Sequence, residues 1–214
     1  MHNIFQILTA EKLKMNIVNL YKKIFEVWFD EYHENTRFGL KGRLIIEEKT
    51  NFQTIKIIQS KRYGRALILD NCWMTAENQE KQYHESLIHP ALTSAERISK
   101  ILIIGGGDGG AARECLLYPE VQKVDLVEID NRVIELSKEY LPSIGGNAWK
   151  DHRLHIHVEN GINWAKKMQD DSYDVVIVDS SDPQGPAKGL FNKQFFLNCH
   201  RILRKGGVFA TQTE

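Results

Sequence analysis

Residues 100–110 read Lys-Ile-Leu-Ile-Ile-Gly-Gly-Gly-Asp-Gly-Gly. A run of apolar β-formers followed at once by glycines predicts a buried parallel strand that enters a tight turn, with a helix opening at Ala111. Gly105, Gly107 and Gly110 fit the spacing G-x-G-x-x-G, in which missing side chains let the backbone turn sharply and approach a ligand closely. The segment therefore predicts a nucleotide site at the end of a strand.

A second short strand, predicted at 124–128, follows one helix later and ends in Glu128. In dinucleotide-binding folds, a carboxylate about 20 residues beyond the glycines hydrogen-bonds a ribose diol. The alternative is a glycine-rich loop in an ordinary α/β protein, with Glu128 as a solvated acid. The strand–helix–strand context favours a nucleoside-binding unit.

The alternation of strands and helices continues to the end of the sequence. Helices are predicted near 110–118, 131–141, 161–169 and 192–204, and further strands at 154–158, 174–179 and 208–211. Such alternation indicates an α/β fold of Rossmann-like type, which has a parallel sheet, right-handed crossovers and helices on both faces.

The sequence before this alternation has a different pattern. Short β-runs separated by turn residues predict a small antiparallel β unit, and they lie at 43–48, 52–60 and 66–69. Thr75 is placed to cap a helix from about residue 76 to residue 92. Nearer the start, helical periodicity runs from Ile17 to Val27.

Three regions are therefore predicted: an N-terminal extension and helix at 1–35, a small antiparallel β domain at 36–75, and a Rossmann-like catalytic domain at 76–214. Met15 is a second candidate start beside Met1. The sequence stops directly after the last predicted strand, where a sheet of this type normally continues. We therefore expect C-terminal strands to be missing and one sheet edge to need a cover.

Composition excludes several classes of protein. Lys plus Arg and Asp plus Glu both number 28, so the formal net charge is zero, and without a basic stripe we expect no nucleic-acid partner. Aliphatic runs are far shorter than the ~20 residues of a membrane span, and no signal peptide is evident. The 3 cysteines are scattered, which argues against a disulfide framework or a metal site. We expect a cytoplasmic protein with no membrane contact.

Asp108 lies inside the glycine loop. Aspartate is common in turns, but a carboxylate here would also repel a phosphate or a ligand carboxylate and attract an amine. Because a pyrophosphate requires bare amides at a helix N-terminus, Asp108 disfavours a dinucleotide and favours a nucleoside that carries an amine.

Other acidic and amide side chains follow the later strands. Asp179 ends the fourth strand of the alternation, and Asp182 lies three residues on; the pair could accept one proton and steer a cation. Asp182 precedes a proline, so a plain turn is the alternative for it. Asp130 and Asn160 both precede helices and are predicted N-caps. For Asn160 a contact with the edge of a nucleobase is the other interpretation.

Together, Gly105–Gly110, Glu128-Ile-Asp130, Asp179-Ser-Ser-Asp-Pro183 and Tyr83-His-Glu85 resemble the motifs of the polyamine aminopropyltransferases. The resemblance runs from about Trp28 to the last residue. It implies a methyltransferase-type Rossmann-like domain preceded by a β unit, and a homodimer. It also implies aminopropyl transfer from decarboxylated S-adenosylmethionine, a co-substrate and not a permanently bound cofactor, to putrescine.

The resemblance also implies roles for individual residues. Asp179 would be the proton acceptor, Asp182 a partner of the amine, and Asp108 the group that holds the aminopropyl end and excludes ordinary S-adenosylmethionine. Glu128 and the glycines Gly105 and Gly107 would bind the nucleoside. The remaining positions it implies are the adenine site Asn160 and Gly161, the nucleoside borders Gln53 and Pro186, and the polyamine-channel walls Tyr83 and His84.

The sequence departs from the family pattern at Asn160, where the family more often has aspartate, and it lacks the family's C-terminal part with an aromatic wall of the amine pocket. Two alternatives to an active aminopropyltransferase therefore stay open. One is a truncated inactive remnant that binds nucleoside or pairs with an intact subunit. The other is an S-adenosylmethionine-dependent amine methyltransferase, against which Asp108 argues.

Overall fold

The computed structural model describes residues 10–182 and 185–212, with side chains described from residue 17 onward except at positions 33 and 186. The first nine residues of the predicted extension, including Met1, lie outside this range. The described residues form two five-stranded sheets. The described helices are all too short or too polar to span a lipid bilayer.

The first sheet is an antiparallel meander in the order β1-β2-β3-β4-β5. Helix α1 (Ala10–Ile24) precedes it. Its strands are β1 (Val27–His33), β2 (Thr36–Lys49), β3 (Thr54–Ser60), β4 (Gly64–Leu69) and β5 (Cys72–Ala76). Both of its faces bury apolar side chains: Ile55 and Ile57 are fully buried on one face, and Ile58 is fully buried on the other. The predicted antiparallel unit is present, but it begins earlier and ends later than the predicted β-runs.

Two local predictions in this region are wrong. The helix predicted from the periodicity up to Val27 ends at Ile24. Val27 instead begins a strand whose residues pair with β2 from Gly42 back to Thr36. The helix predicted from residue 76 with Thr75 as its cap is instead strand β5, with Thr75 opposite Leu67.

The turn before β5 explains the second error. Asp70 and Asn71 both have positive φ angles, 48° and 72°, as a two-residue hairpin turn requires. This turn sends the chain back along β4 as β5, and α2 begins only at Glu80.

The second sheet is fully parallel, in the order β10-β9-β6-β7-β8. The strands of this sheet and the helices around it are, in chain order, α2 (Glu80–Ser94), β6 (Lys100–Gly105), α3 (Gly110–Leu116), β7 (Lys123–Glu128), α4 (Asn131–Tyr140), α5 (Pro142–Gly145), a 3-10 turn (Gly146–Lys150), β8 (Leu154–Val158), α6 (Gly161–Lys167), β9 (Tyr173–Asp179), a second 3-10 turn (Gly185–Phe191), α7 (Lys193–Ile202) and β10 (Leu203–Thr211). The predicted α/β fold class is confirmed. β10 begins five residues earlier than predicted, at Leu203, with a register shift before Val208, and it lies at one edge of the sheet.

The strand order reverses between β6 and β9. The chain winds outward from β6 through β7 to β8, then crosses back to β9 on the other side of β6. Ligands of open α/β sheets bind outside the carboxyl ends of the strands at such a switch point. The ends of β6, β7 and β9 therefore define the expected position of a site.

A shared core joins the two sheets. Ile55, Ile57 and Leu67 of the antiparallel sheet pack in one cluster with Val133 and Leu136 of α4. At the edge of this contact, the Arg132 guanidinium donates Nε and Nη2 hydrogen bonds of 2.7 and 2.8 Å to the two carboxylate oxygens of Glu48. The antiparallel sheet is thereby held over the carboxyl end of the parallel sheet.

We expect Gly105→Ala to lower the free energy of unfolding by more than about 3 kcal/mol. Gly105 has φ +85°, and a Cβ there would lie 2.1 Å from the Asp179 carbonyl oxygen. The matched control is Gly185→Ala, where φ is +48° and nothing lies within 4 Å of the new Cβ, so only ~1 kcal/mol of backbone strain is expected. Urea unfolding of both variants checks this; equal losses would contradict it.

Candidate active site

A cleft opens at the switch point, between the carboxyl ends of β6, β7 and β9 and the antiparallel sheet. It combines apolar walls with a few polar groups, as small-molecule sites do. Nine of the residues predicted for the site line it: Gln53, Tyr83, Gly105, Gly107, Asp108, Glu128, Asn160, Gly161 and Asp179. Two others whose side chains the structure describes, His84 and Asp182, do not line it.

The glycine loop forms the floor of the cleft. Gly105 and Gly106 have φ angles of 85° and 68°, a conformation that costs glycine little. The Gly106 amide donates to the Asp179 carbonyl oxygen at 2.8 Å. A Cβ on Gly107 would lie 2.9 Å from Oε2 of Glu128. The loop can therefore lie against both neighbouring strands only because these positions are glycine.

Glu128 ends β7 with its side chain in the cleft and only 8% of the residue exposed. Burial raises the pKa of Glu128 to about 7, although the amide of Asp130 donates a hydrogen bond of 3.0 Å to its Oε1. Ligand hydroxyls that donate to this carboxylate would favour its charged form. The group is suited to accept hydrogen bonds from a diol.

Asp130 is the N-cap of α4, as predicted, since its side chain accepts a hydrogen bond from the Arg132 amide at 3.1 Å. Its other oxygen accepts from Thr50 Oγ1 at 2.7 Å and from Gln53 Nε2 at 3.2 Å. The turn between β2 and β3 is thus tied to the start of α4, which places Gln53 in the wall of the cleft.

Asn160 is the N-cap of α6. Its Oδ1 accepts hydrogen bonds from the amides of Ile162 and Asn163, at 2.9 and 3.3 Å. The predicted cap is confirmed, and because both bonds go to Oδ1, the side-chain group left for a ligand is the NH₂ donor. The contact of Asn160 with adenine stays a prediction. In that contact Asn160 would donate a hydrogen bond through its NH₂ group and would not accept one.

Asp108 and Asp179 face each other at the ends of β6 and β9. Asp108 Oδ1 accepts from the Gly110 amide at 2.8 Å, and Asp179 Oδ1 accepts from the Tyr83 hydroxyl at 2.7 Å. Burial opposes ionisation of Asp108, but the His84 imidazolium beside it holds its pKa below the usual range. Burial raises the pKa of Asp179 to about 6, with the charge of Asp108 adding to the effect. One carboxyl is thus held ionised and the other is poised to exchange a proton.

His84 lies behind Asp108, with none of its surface exposed. The resemblance implied a wall of the polyamine channel, but the ring is shielded from the cleft. Its Nδ1 donates to Glu80 Oε2 at 2.7 Å, and its Nε2 faces Asp108 Oδ2 at 3.4 Å. Burial alone would lower the pKa of His84, yet Asp108 and Glu80 together raise it to about 11, so the ring is a cation.

His84, Asp108 and Asp179 are also close enough to surround a metal ion, since one ligand atom of each lies within 4.8 Å of the others. A doubly protonated imidazole has no lone pair to offer a metal. The cluster is therefore assigned to ion pairing.

The loop after β9 contributes less than its sequence indicates. Asp182 lies beside Gln212, whose Nε2 is 3.4 Å from its Oδ1. Pro183 and Gln184 lie outside the described residues, as does the side chain of Pro186. Pro186 belongs to the 3-10 turn at Gly185–Phe191, from which other side chains enter the cleft.

Apolar wall residues were missed by the sequence interpretation. They come from the antiparallel sheet, from the strand ends, from the first turns of α4 and α6 and from the 3-10 turn after β9, and they are Leu67, Leu69, Met74, Ile104, Val127, Ile129, Val133, Ile162, Ala187 and Leu190. Their sequence signal is that of ordinary core residues. Only their position beside the glycine loop makes them part of a ligand site.

Comparisons with known proteins match this architecture. Residues 80–214 match the spermine/spermidine synthase domain, and residues 27–77 match the spermidine synthase tetramerisation domain. The polyamine aminopropyltransferase of Prochlorococcus marinus strain SARG is 64% identical over 187 residues, which are 87% of this chain and 65% of that protein. That of strain MIT 9313 is 58% identical over the same shares.

Solved structures agree with the sequence matches. A spermidine synthase in complex with the transition-state analogue AdoDATO aligns with a TM-score of 0.84 at 36% identity, over 88% of this chain and 65% of that one. The spermidine synthase from Thermotoga maritima aligns with a TM-score of 0.82, also at 36% identity, over 88% and 64%. The chain spans about 65% of the length of the first of these curated relatives. With both domain matches and these relatives, the chain belongs to the spermine/spermidine synthase family.

Proposed function

We propose that this protein transfers the aminopropyl group of decarboxylated S-adenosylmethionine to putrescine, giving spermidine and methylthioadenosine. The observation that carries the proposal is the pair of carboxyl groups in the cleft at the strand ends, Asp108 held ionised and Asp179 with its pKa raised to about 6. The likeness to a spermidine synthase in complex with a transition-state analogue supports it.

In this proposal the nucleoside occupies the end of the cleft at β7 and α6. Glu128 accepts hydrogen bonds from the ribose hydroxyls, and the glycine loop passes close beneath the sugar. Asn160 and Gly161 border the adenine, with the Asn160 NH₂ group as donor. Gln53 borders the nucleoside from the antiparallel sheet. Pro186 is also proposed to border the nucleoside.

The aminopropyl end lies at Asp108, whose charge pairs with the ligand ammonium. Ordinary S-adenosylmethionine carries a carboxylate at the corresponding end, which Asp108 would repel. This repulsion disfavours the alternative of methyl transfer. A competition between the carboxylated and decarboxylated compounds should favour the decarboxylated one.

Putrescine must lose one proton before its nitrogen can attack. Asp179 accepts that proton, and Tyr83 holds the carboxylate by its hydrogen bond of 2.7 Å. The amine lone pair then forms a bond to the carbon next to the sulfonium, the carbon–sulfur bond breaks, and its electron pair neutralises the sulfur. Since the leaving group is a neutral thioether, the protein's contribution is orientation and a base. Asp182 is proposed to steer the second amine of putrescine.

Association into a homodimer is proposed through the N-terminal region. Large apolar side chains on α1, β1 and β2 are exposed, among them Trp28 at 60%, Tyr32 at 69% and Phe38 at 58%. Trp28 and Tyr32 share one face of this part of the sheet, and Phe38, opposite Glu31, lies on the other. Exposed large apolar side chains in one region favour an interface there. The match of residues 27–77 to a tetramerisation domain supports oligomer formation. The cytoplasmic location stays a prediction.

Asp179→Asn should lower putrescine-dependent release of methylthioadenosine by about 10²- to 10⁴-fold, because a general base contributes that much. Methylthioadenosine binding should be retained, since the ribose carboxylate is intact. Asp182→Asn is the comparison variant. It makes the same charge change at a residue that is proposed to steer the second amine and not to accept the proton, so it should lose less. Turnover that survives in Asp179→Asn would contradict the assignment of the base. A folded wild-type chain that releases nothing when putrescine is added would contradict the proposed reaction.

Tyr83→Phe should move the acidic limb of the pH–rate profile to higher pH. The Tyr83 hydroxyl stabilises the charged form of Asp179 and so lowers its pKa. The base must be ionised to act, so activity should rise through about pH 6 in the wild type and through a higher pH in the variant. Tyr118→Phe, which removes a hydroxyl bonded to His89 instead, should leave the limb in place. A downward shift would refute this role of Tyr83.

Methylthioadenosine should bind more tightly as the pH rises through about 7, where Glu128 loses its proton. The ionised carboxylate accepts two hydroxyl hydrogen bonds, whereas the protonated form has lost part of this capacity. Glu128→Gln should weaken binding about tenfold or more and flatten the pH dependence. Calorimetric titrations between pH 5.5 and pH 8.5 would measure both effects. Binding by Glu128→Gln that still strengthened through about pH 7 would contradict the role of Glu128.

A further inference from the structure

A buried chain of charges extends from the cleft into the protein behind Asp108. Asp108 Oδ2 lies 3.4 Å from His84 Nε2, and His84 Nδ1 lies 2.7 Å from Glu80 Oε2. Glu80 is 5% exposed and His84 is fully buried. Buried charges are costly unless each is paired, and here every member faces a partner of opposite sign.

The His84 ring is fixed by packing as well as by charge. A Cβ on Gly110 would lie 2.2 Å from the ring atom Cε1, so the ring lies directly against the backbone where α3 begins. Nε2 is buried and makes no well-formed hydrogen bond within the described part of the chain. It faces Asp108 Oδ2 at 3.4 Å, so the two side chains form an ion pair.

Charged and titratable groups face this pair from each element packed against it. Tyr83 and Glu80 come from α2, and Asp179 comes from the end of β9. From α3, Arg113 donates to both oxygens of Glu80 at 2.9 Å, and the same guanidinium also binds Glu114. Arg113 therefore fixes the Glu80 carboxylate in the orientation that meets His84.

We propose that Glu80 is a positioning residue for amine recognition: it holds His84 as a cation, and that cation keeps Asp108 ionised and aimed into the cleft. Glu80 itself touches no part of the nucleoside cleft and acts through His84. The inference rests on the proposed function only in taking an ammonium as the ligand of Asp108.

The physical need for this device comes from the second carboxyl group. Asp108 and Asp179 lie close together, and two such groups without a compensating cation share one proton. With His84 charged, the pKa of Asp108 stays below its usual range while that of Asp179 is raised to about 6. Without Glu80, the pKa of His84 falls, because one of the two carboxylates that contact the ring and raise its pKa is lost. The charge of Asp108 is then compensated less fully, and its hold on an ammonium weakens.

The test compares two nucleosides that differ in the group on sulfur. One is 5′-methylthioadenosine, and the other is 5′-(3-aminopropylthio)adenosine, which has the same neutral sulfur and carries an ammonium on a three-carbon chain. The ratio of their dissociation constants, measured by calorimetry at pH 7.5, reports on the aminopropyl subsite, and its change in a variant that leaves the apolar walls intact reports on the ammonium. In Glu80→Gln this ratio should fall at least tenfold, while the affinity for methylthioadenosine changes less than twofold.

Glu114→Gln is the matched control. It removes the same charge from the same Arg113, and Glu114 is also buried, 4% exposed, but it does not contact His84. The ratio should stay within twofold of the wild-type value. A folded Glu80→Gln chain that keeps the wild-type ratio would overturn the proposal, and so would an equal loss in Glu114→Gln.

A second readout does not depend on the ligand. In ¹⁵N NMR the two imidazole nitrogens of His84 should both stay protonated to about pH 9 in the wild type and should titrate at lower pH in Glu80→Gln. A neutral His84 at pH 7.5 in the wild type would overturn the proposal.

If Glu80→Gln does not fold, His84→Gln is tested instead. A wild-type ratio of the two nucleoside dissociation constants in His84→Gln would also overturn the proposal. A wild-type chain without preference for the amine would contradict the proposed function, whereas the NMR result would still decide the role of Glu80.

Discussion

Two carboxyl groups held side by side in a partly buried position set the main constraint on this structure. Asp108 and Asp179 repel each other, and burial opposes the ionisation of both. The cost is offset by the cation of His84, by the Gly110 amide and by the Tyr83 hydroxyl. Because the cation lies against Asp108 and the neutral hydroxyl against Asp179, the two groups acquire different proton affinities and can serve as an anchor and a base.

The fold supplies this arrangement through the reversal of strand order. Asp179 and the glycine loop come from neighbouring strands, with Gly105 paired to Asp179 in the parallel register. α2 passes beside the same strand ends and brings Tyr83 and His84 from a segment that precedes the parallel sheet. The antiparallel sheet covers the site through its core with α4 and through the bonds of Thr50 and Gln53 to Asp130. The site therefore depends on contacts between elements that are distant in sequence.

Much of this architecture could be predicted from the sequence. Strand β6, with its fully buried apolar run, and the glycines after it have one structural interpretation, and Asp130 and Asn160 are N-caps as their positions indicate. Strand β5 could not be predicted, since its hairpin turn uses Asp70 and Asn71 at positive φ, a conformation that glycine usually provides. The burial of His84 could not be predicted either, because it depends on the close approach of α2 to Gly110. A polar residue beside a known motif is interpreted as a ligand contact until tertiary packing shows what it faces.

The central claim is that Asp108 and Asp179 differ in protonation, and carboxyl ¹³C NMR of the unliganded chain tests it most directly. Titration of the two resonances, assigned with Asp108→Asn and Asp179→Asn, should show Asp179 gaining its proton near pH 6. Asp108 should remain ionised to below the usual range of an aspartate. If both resonances instead titrated together in shared steps, or if Asp108 took up its proton first, the assignment of an ionised anchor and a base would be contradicted.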